Sequence, residues 1–313
     1  MKKFLLAIVL VFSVTLCAAE KNVSDDKLVG VFPENIKCVA VMSPASCPSK
    51  KNVLKGIAML EKAGVKVKLM PHSFVPKGAS IEQRLEAWNL AVNDPEVDMI
   101  IATRGGNGAQ DLVKHIDWKK FKERNLTLMG FSNITHLTSA MEFHNAGRPI
   151  AGPNISNMVK ATPRSIVHLK SVLAKQPTPR VKLVPLRGGD VSGRAYAGHL
   201  TMLNGNRQSE FKVVPDGRIV FIECVRRDTK VLDECFQQMF ADGYFKNVKA
   251  VVLCHFTNLK DPENKDKMFE KWAAQLTCPV YKGYPYGHTS SSYAIDFKST
   301  AVIKNNAVTF VQE

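Results

Sequence analysis

The serine at position 132 stands where an apolar run gives way to a helical pattern, in Leu126-Thr-Leu-Met-Gly-Phe-Ser-Asn-Ile-Thr135. Residues 126–131 have strand character, Gly130 is small enough to let the backbone turn, and 134–143 opens a helix. A serine at such a corner is exposed, and neighbouring amides point into the same space. The helix start adds partial positive charge, which favours a developing oxyanion. That is the physics of a nucleophile elbow. The pattern is incomplete, because Ile134 occupies the place of the second glycine in G-x-S-x-G. The alternative is that Ser132 or Asn133 caps the following helix.

A second glycine-rich corner, Arg104-Gly-Gly-Asn-Gly108, also follows a strand pattern and opens a helix. Its glycines let backbone amides approach a ligand closely. It lacks the Gly-Lys-Ser/Thr ending of a phosphate loop and the full dinucleotide fingerprint. Used as an oxyanion nest, the amides of Gly106 and Asn133 would come from adjacent strand ends. Used as a plain turn, it leaves Arg104 a surface charge. Glu223 lies inside Ile219-Val-Phe-Ile-Glu-Cys-Val225, where a buried carboxylate needs a partner. A histidine would serve, and a carboxylate that orients a histidine is the third member of a hydrolytic triad. The alternative is an edge-strand glutamate facing water. His288 closes the glycine-bounded loop Gly283-Tyr-Pro-Tyr-Gly-His288. His115, His136, His144 and His255 are expected to pack or face solvent, and His199 falls within an expected strand.

The elements that would carry these residues alternate. Strands are expected at 36–42, 65–70, 97–102 and 126–131, with helices at 50–63 and after the Ser80-Ile-Glu-Gln83 capping box. Strands alternating with helices at this spacing imply a parallel sheet covered on both faces, with ligands beyond the carboxyl ends of its strands. Ser43, Arg104 and Ser132 would stand on that edge. Residues 163–189 hold Pro163, Pro177, Pro179 and Pro185 and read as a helix followed by an interdomain linker. Beyond it, 195–203, 218–225 and 248–256 read as strands and 264–276 as a helix, with short final strands. The expected division is a leader at 20–35, an N-terminal α/β domain at 36–162, a linker at 163–189 and a β-rich α/β domain at 190–313.

Residues 1–19 stand apart. Lys2 and Lys3 precede an apolar run from Phe4 to Leu16, and Cys17-Ala18-Ala19 ends in small residues. This reads as a secretory signal cleaved after Ala19, too short for a comfortable membrane span. No second long apolar segment follows, so the expectation is an exported protein, periplasmic or extracellular. Removing Lys2 and Lys3 takes the formal charge from +15 to +13. Lys and Arg are spread along the chain without a dense arm, which argues against nucleic acid and fits an acidic wall or membrane surface. Cys38, Cys47, Cys224, Cys235, Cys254 and Cys278 form no Cys-x-x-Cys pair, and none has a histidine at zinc-finger spacing. Cys38 and Cys254 are expected as buried thiols, and one or two disulfides elsewhere are open.

Four motifs, Arg104-Gly-Gly-Asn-Gly108, Gly130-Phe-Ser-Asn-Ile-Thr135, Phe221-Ile-Glu223 and Tyr286-Gly-His288, occur in one order across most of the mature chain. They resemble the serine LD-carboxypeptidase family, which includes murein tetrapeptide carboxypeptidases and microcin-immunity peptidases. Val41-Met-Ser-Pro-Ala-Ser46 and Ala197-Gly-His-Leu-Thr-Met-Leu203 are also similar to family blocks. The resemblance implies a flavodoxin-like parallel-sheet N-terminal domain, of the class I glutamine amidotransferase type, plus a smaller β-rich C-terminal domain. It implies a Ser132, Glu223 and His288 triad, an oxyanion hole of the Gly106 and Asn133 amides, and an acyl-enzyme. It gives Arg104 a place on a substrate carboxylate, needs no metal or organic cofactor, and suggests a homodimer. Asn133, Asn107, Cys224 and His199 depart from the family pattern, which bears on the substrate. The expected activity is removal of a C-terminal D-amino acid from a peptidoglycan stem tetrapeptide. The alternatives are a peptidase acting on another peptide or a peptide-nucleotide conjugate, and a wall-peptide binding protein without turnover.

Overall fold

The computed structural model describes residues 26–312, so the segment read as a secretory signal lies outside the described residues. Five parallel strands form the first sheet: β1 (Cys38–Met42), β2 (Lys66–Leu69), β3 (Met99–Ala102), β4 (Thr127–Gly130) and β5 (Arg148–Ala151), in the order β5-β4-β3-β1-β2. Every residue of β1, β3 and β4 is buried, as expected of parallel strands covered on both faces. Alternate residues serve opposite cores. Ala40, Met42, Ile100 and Leu128 meet Trp88 and Phe121, whereas Val39, Val41, Ile101 and Met129 meet Val53, Leu60 and Leu169. At the edge, Lys66 and Lys68 of β2 pair with Glu96 and Asp94, which blunts an exposed strand.

The covering helices are α1 (Lys50–Lys62), α2 (Ile81–Asn93), α3 (Ala109–Val113), α4 (Trp118–Arg124), α5 (Thr135–Phe143), α6 (Ile155–Met158) and α7 (Pro163–Leu173). The Ser80–Gln83 capping box forms as read: the Ser80 hydroxyl accepts from the Gln83 amide and the Gln83 side chain accepts from the Ser80 amide. Residues 26–35 are not a loose leader. Leu28 and Val31 are buried in the core beneath the first sheet.

The second sheet has eight strands: β6 (Val181–Lys182), β7 (Val184–Arg187), β8 (Val191–His199), β9 (Arg218–Val225), β10 (Ala250–Thr257), β11 (Val280–Lys282), β13 (Ser299–Lys304) and β14 (Ala307–Gln312); the two-residue β12 (Ile295–Asp296) lies elsewhere. Its order is β6-β14-β13-β8-β9-β10-β11-β7, with β8 to β11 parallel and the flanking strands antiparallel. Helices α8 (Leu200–Asn206), α9 (Thr229–Ala241) and α10 (Lys265–Gln275) complete it.

Three features differ from the sequence reading. Residues 200–203 are helix, not strand: α8 buries Leu200, Leu203 and Asn206 at three-residue spacing, a helical stripe that a short apolar run hides. The segment 163–189 is not a free linker. Helix α7 buries Ile166, Leu169, Val172 and Leu173 in the first half's core, and β6 and β7 pair into the second sheet. β12, from the second half, pairs antiparallel with β5 and extends the first sheet. Arg148 Nε donates to Asp296 Oδ2 at 2.7 Å, and Glu142 accepts from Arg194 and Arg218, so ion pairs on two buried carboxylates tie the halves together. Among the described residues no helix is long and apolar enough to cross a membrane.

Candidate active site

Strand β4 delivers Ser132 to the carboxyl edge of the first sheet. The chain leaves Gly130, passes Phe131 and makes one 3-10 turn, Ser132–Ile134, before α5 begins. Ser132 carries the strain of this corner, at φ +66°. A non-glycine residue there costs about 1–3 kcal/mol and persists only where its surroundings impose it. Gly130 acts otherwise than read: it permits close approach, since a Cβ there would lie 2.9 Å from both Asn154 Oδ1 and Ile134 Cγ2. Asn154 Oδ1 also accepts from the Phe131 amide at 3.3 Å.

The second sheet supplies two more groups. Glu223 lies within a fully buried stretch of β9, and His288 lies in the loop after β11. His288 Nε2 is 3.1 Å from Ser132 Oγ, and His288 Nδ1 is 2.8 Å from Glu223 Oε2. An ionised carboxylate only accepts, so Nδ1–H donates to Glu223 and leaves Nε2 as acceptor for the serine hydroxyl. The edge-strand alternative for Glu223 fails, because β9 lies between β8 and β10 and the side chain is fully buried. Gly287, at φ +130°, is required here, since its Cβ would stand 3.0 Å from Glu223 Cβ and Oε2.

The glycine loop after β3 closes against the serine. A Cβ on Gly105 would sit 2.7 Å from Ser132 Cβ, and Gly106 (φ +113°) has no room for one against Ser46. Ser46 Oγ accepts from the Asn107 amide at 2.9 Å, and Asn133 Oδ1 accepts from the Ala109 amide at 2.9 Å, tying the two corners together. Gly106 and Ser132 line a cleft of about 510 Å³ together with Arg104, Lys160, Arg226 and His288. An adjoining lobe of about 250 Å³ shares Arg104, Gly106, Ser132 and His288 and adds the polar side chains of Ser49, Asn52 and Asn154. No carboxylate lines either lobe among the described residues, so the mouth is cationic. Arg104 Nη1 donates to the Cys47 carbonyl at 3.3 Å, which holds it at this mouth.

Sequence reasoning missed Lys160 and Arg226, which lie beyond any motif. Arg226 follows directly on β9 and has a positive φ of 55°. Ser43 stands at the edge of the sheet but turns inward, bonding the Ser73 carbonyl at 2.8 Å and Thr103 Oγ1 at 2.6 Å. His255 packs behind the site, with Nδ1 3.1 Å from Thr289 Oγ1. All six described cysteines are free thiols.

A strained serine at a strand-to-helix corner, facing an imidazole backed by a buried carboxylate, is the arrangement of a serine peptidase, here carried on two α/β halves. The chain belongs to the LD-carboxypeptidase family: residues 39–148 match its N-terminal domain and residues 192–303 its C-terminal domain. It is 27% identical over 288 residues to the murein tetrapeptide carboxypeptidase of Pseudomonas aeruginosa, covering 86% of this chain and 93% of that one. It is 22% identical over 289 residues to the microcin C7 self-immunity protein of Escherichia coli, covering 79% and 83%. The crystal structure of muramoyltetrapeptide carboxypeptidase from Oxalobacter formigenes shares the fold, with a TM-score of 0.79 at 23% identity, over 88% of this chain and 98% of that one.

Proposed function

We propose that this protein is an exported carboxypeptidase that hydrolyses the bond to a C-terminal D-amino acid of peptidoglycan stem tetrapeptides. The observation that carries the reading is the hydrogen-bonded chain from Ser132 Oγ through His288 to Glu223, opening on a cationic cleft. In this reading Ser132 Oγ attacks the scissile carbonyl while His288 Nε2 takes its proton, and Glu223 stabilises the resulting imidazolium. The amides of Gly106 and Asn133 bind the oxyanion of the tetrahedral intermediate. His288 then protonates the departing amine, the D-amino acid leaves, and water activated by His288 hydrolyses the acyl-enzyme. Arg104, with Lys160 and Arg226 nearby, receives substrate carboxylates, which explains why an exopeptidase cleft holds cations and no acids. Likeness to the murein tetrapeptide carboxypeptidase supports the wall substrate, and the basic charge suits an acidic polymer. The amino-terminal signal pattern is the ground for export, which brings the enzyme to the sacculus.

The test is release of free D-alanine from purified muropeptide tetrapeptides by the mature protein and by Ser132→Ala. Release by the former and not the latter is expected. Release unaffected by the substitution removes Ser132 as nucleophile. A second reading, cleavage of a peptide-nucleotide conjugate, draws on likeness to the microcin C7 self-immunity protein. Turnover of such a conjugate with no D-alanine release selects it.

A further inference from the structure

The two hydrogen bonds of His288 run from opposite nitrogens of its ring, so they fix its ends and leave it free to tilt about the line between them. Two other rings bear on it. Phe131 meets it at 4.8 Å between centroids and 61° between planes, and His199 at 5.8 Å and 82°. His199 is buried at the end of β8, directly opposite Glu223 in the strand register. Its Nε2 is 3.5 Å from Cys224 Sγ and its Nδ1 is 3.1 Å from Thr201 Oγ1. A neutral imidazole satisfies both contacts, donating from one nitrogen and accepting at the other. The His199 amide donates to Thr135 Oγ1, three residues past Ser132, at 3.2 Å. Gly198 makes that approach possible, because a Cβ there would lie 2.6 Å from Thr135 Cγ2. His199 thus touches the strand of the carboxylate, the helix of the serine and the ring of the base.

We propose that His199 is a positioning residue: its ring, locked by Cys224 and Thr201, bears on His288 and keeps that imidazole aligned between Glu223 and Ser132. The inference rests on His288 being the base for Ser132. It also requires His199 to stay uncharged, since a second cation would oppose proton uptake by His288. Burial holds the His199 pKa below the usual imidazole value. Glu223 partly offsets this, whereas His288, Arg227 and His136 reinforce it.

The experiment measures the rate at which a fluorophosphonate probe labels Ser132, located by peptide mass spectrometry, as a function of pH. Wild type, His199→Asn, His199→Phe and Cys224→Ala are compared, each checked by thermal unfolding. His199→Asn removes the ring, and labelling is expected to fall about tenfold or more, the scale of a lost ring contact with a misaligned base. His199→Phe keeps a ring and is expected to lose less. Cys224→Ala frees one ring nitrogen and is expected to cost about threefold, the scale of one weak hydrogen bond; it also serves where a His199 variant fails to fold. The downfield imidazole proton of His288 is expected to broaden in His199→Asn, a change that a merely structural role would not produce. A rate within twofold of wild type in folded His199→Asn, or equal losses in the Asn and Phe variants, overturns the inference, as does an unchanged rate in Cys224→Ala. Failure of the wild type to label at Ser132 overturns the underlying assignment instead.

Discussion

Glu223→Gln separates function from stability at a single atom. The carboxylate is fully buried and Oε2 accepts from His288 at 2.8 Å, while Oε1 has no partner among the described residues. An amide of the same shape donates to His288 Nδ1, which forces the ring proton onto Nε2, facing Ser132. That tautomer cannot accept the serine proton, and kcat is expected to fall by about 10³–10⁴-fold. Stability moves the other way. A buried oxygen left unpaired costs about 1–3 kcal/mol, more when it is charged. Neutralising it should leave stability unchanged or raise it on the order of 1 kcal/mol. D-alanine release at saturating tetrapeptide gives the first quantity, and urea unfolding midpoints give the second. A kcat within about tenfold of wild type, or a stability loss above about 2 kcal/mol, would refute the reasoning, because the carboxylate would then be a structural anchor.

Gly105→Ala places a methyl 2.7 Å from Ser132 Cβ and 2.9 Å from Oγ, so Ser132 must move. Activity is expected to drop about 100-fold from misalignment alone with unfolding little changed; wild-type kcat in the variant would show that the loop yields. His168 stacks on Tyr293, and burial lowers its pKa to about 3. Between its unfolded value near 6.5 and about 3, the unfolded chain binds a proton that the folded protein does not, so stability falls as pH drops. From pH 7 to 4.5 wild type should lose roughly 2–3 kcal/mol more than His168→Gln, measured by urea unfolding at each pH. Equal losses would exclude His168 as the source.

Much of the first sheet was legible because β1, β3 and β4 are apolar runs bounded by breakers, and burial on both faces leaves that composition as the signature. Strand β5 was not. Arg148-Pro-Ile-Ala151 is four residues with a proline and no period to read, and it is a strand because β4 and β12 flank it. The same holds at 200–203, where β8 ends and α8 begins inside one apolar run. The proline-rich composition of 163–189 suggested a linker, yet α7 and strands β6 and β7 find partners far away in the chain. Composition does not encode such pairings.

The sequence by itself determined which side chains have reactive chemistry and what local backbone each needs: a serine after a strand, a glutamate inside an apolar strand, a histidine in a glycine-bounded loop. These are local properties, set by neighbours a few residues away. Tertiary structure alone decided that they meet. Ser132 and His288 are 156 positions apart, and their contact depends on the welding of two sheets through β12 and the Arg148–Asp296 pair. The same packing turned Ser43 inward, gathered Arg104, Lys160 and Arg226 around one mouth, and set His199 against His288. Contacts between distant residues depend on how whole layers stack, and no local pattern of residues carries that information.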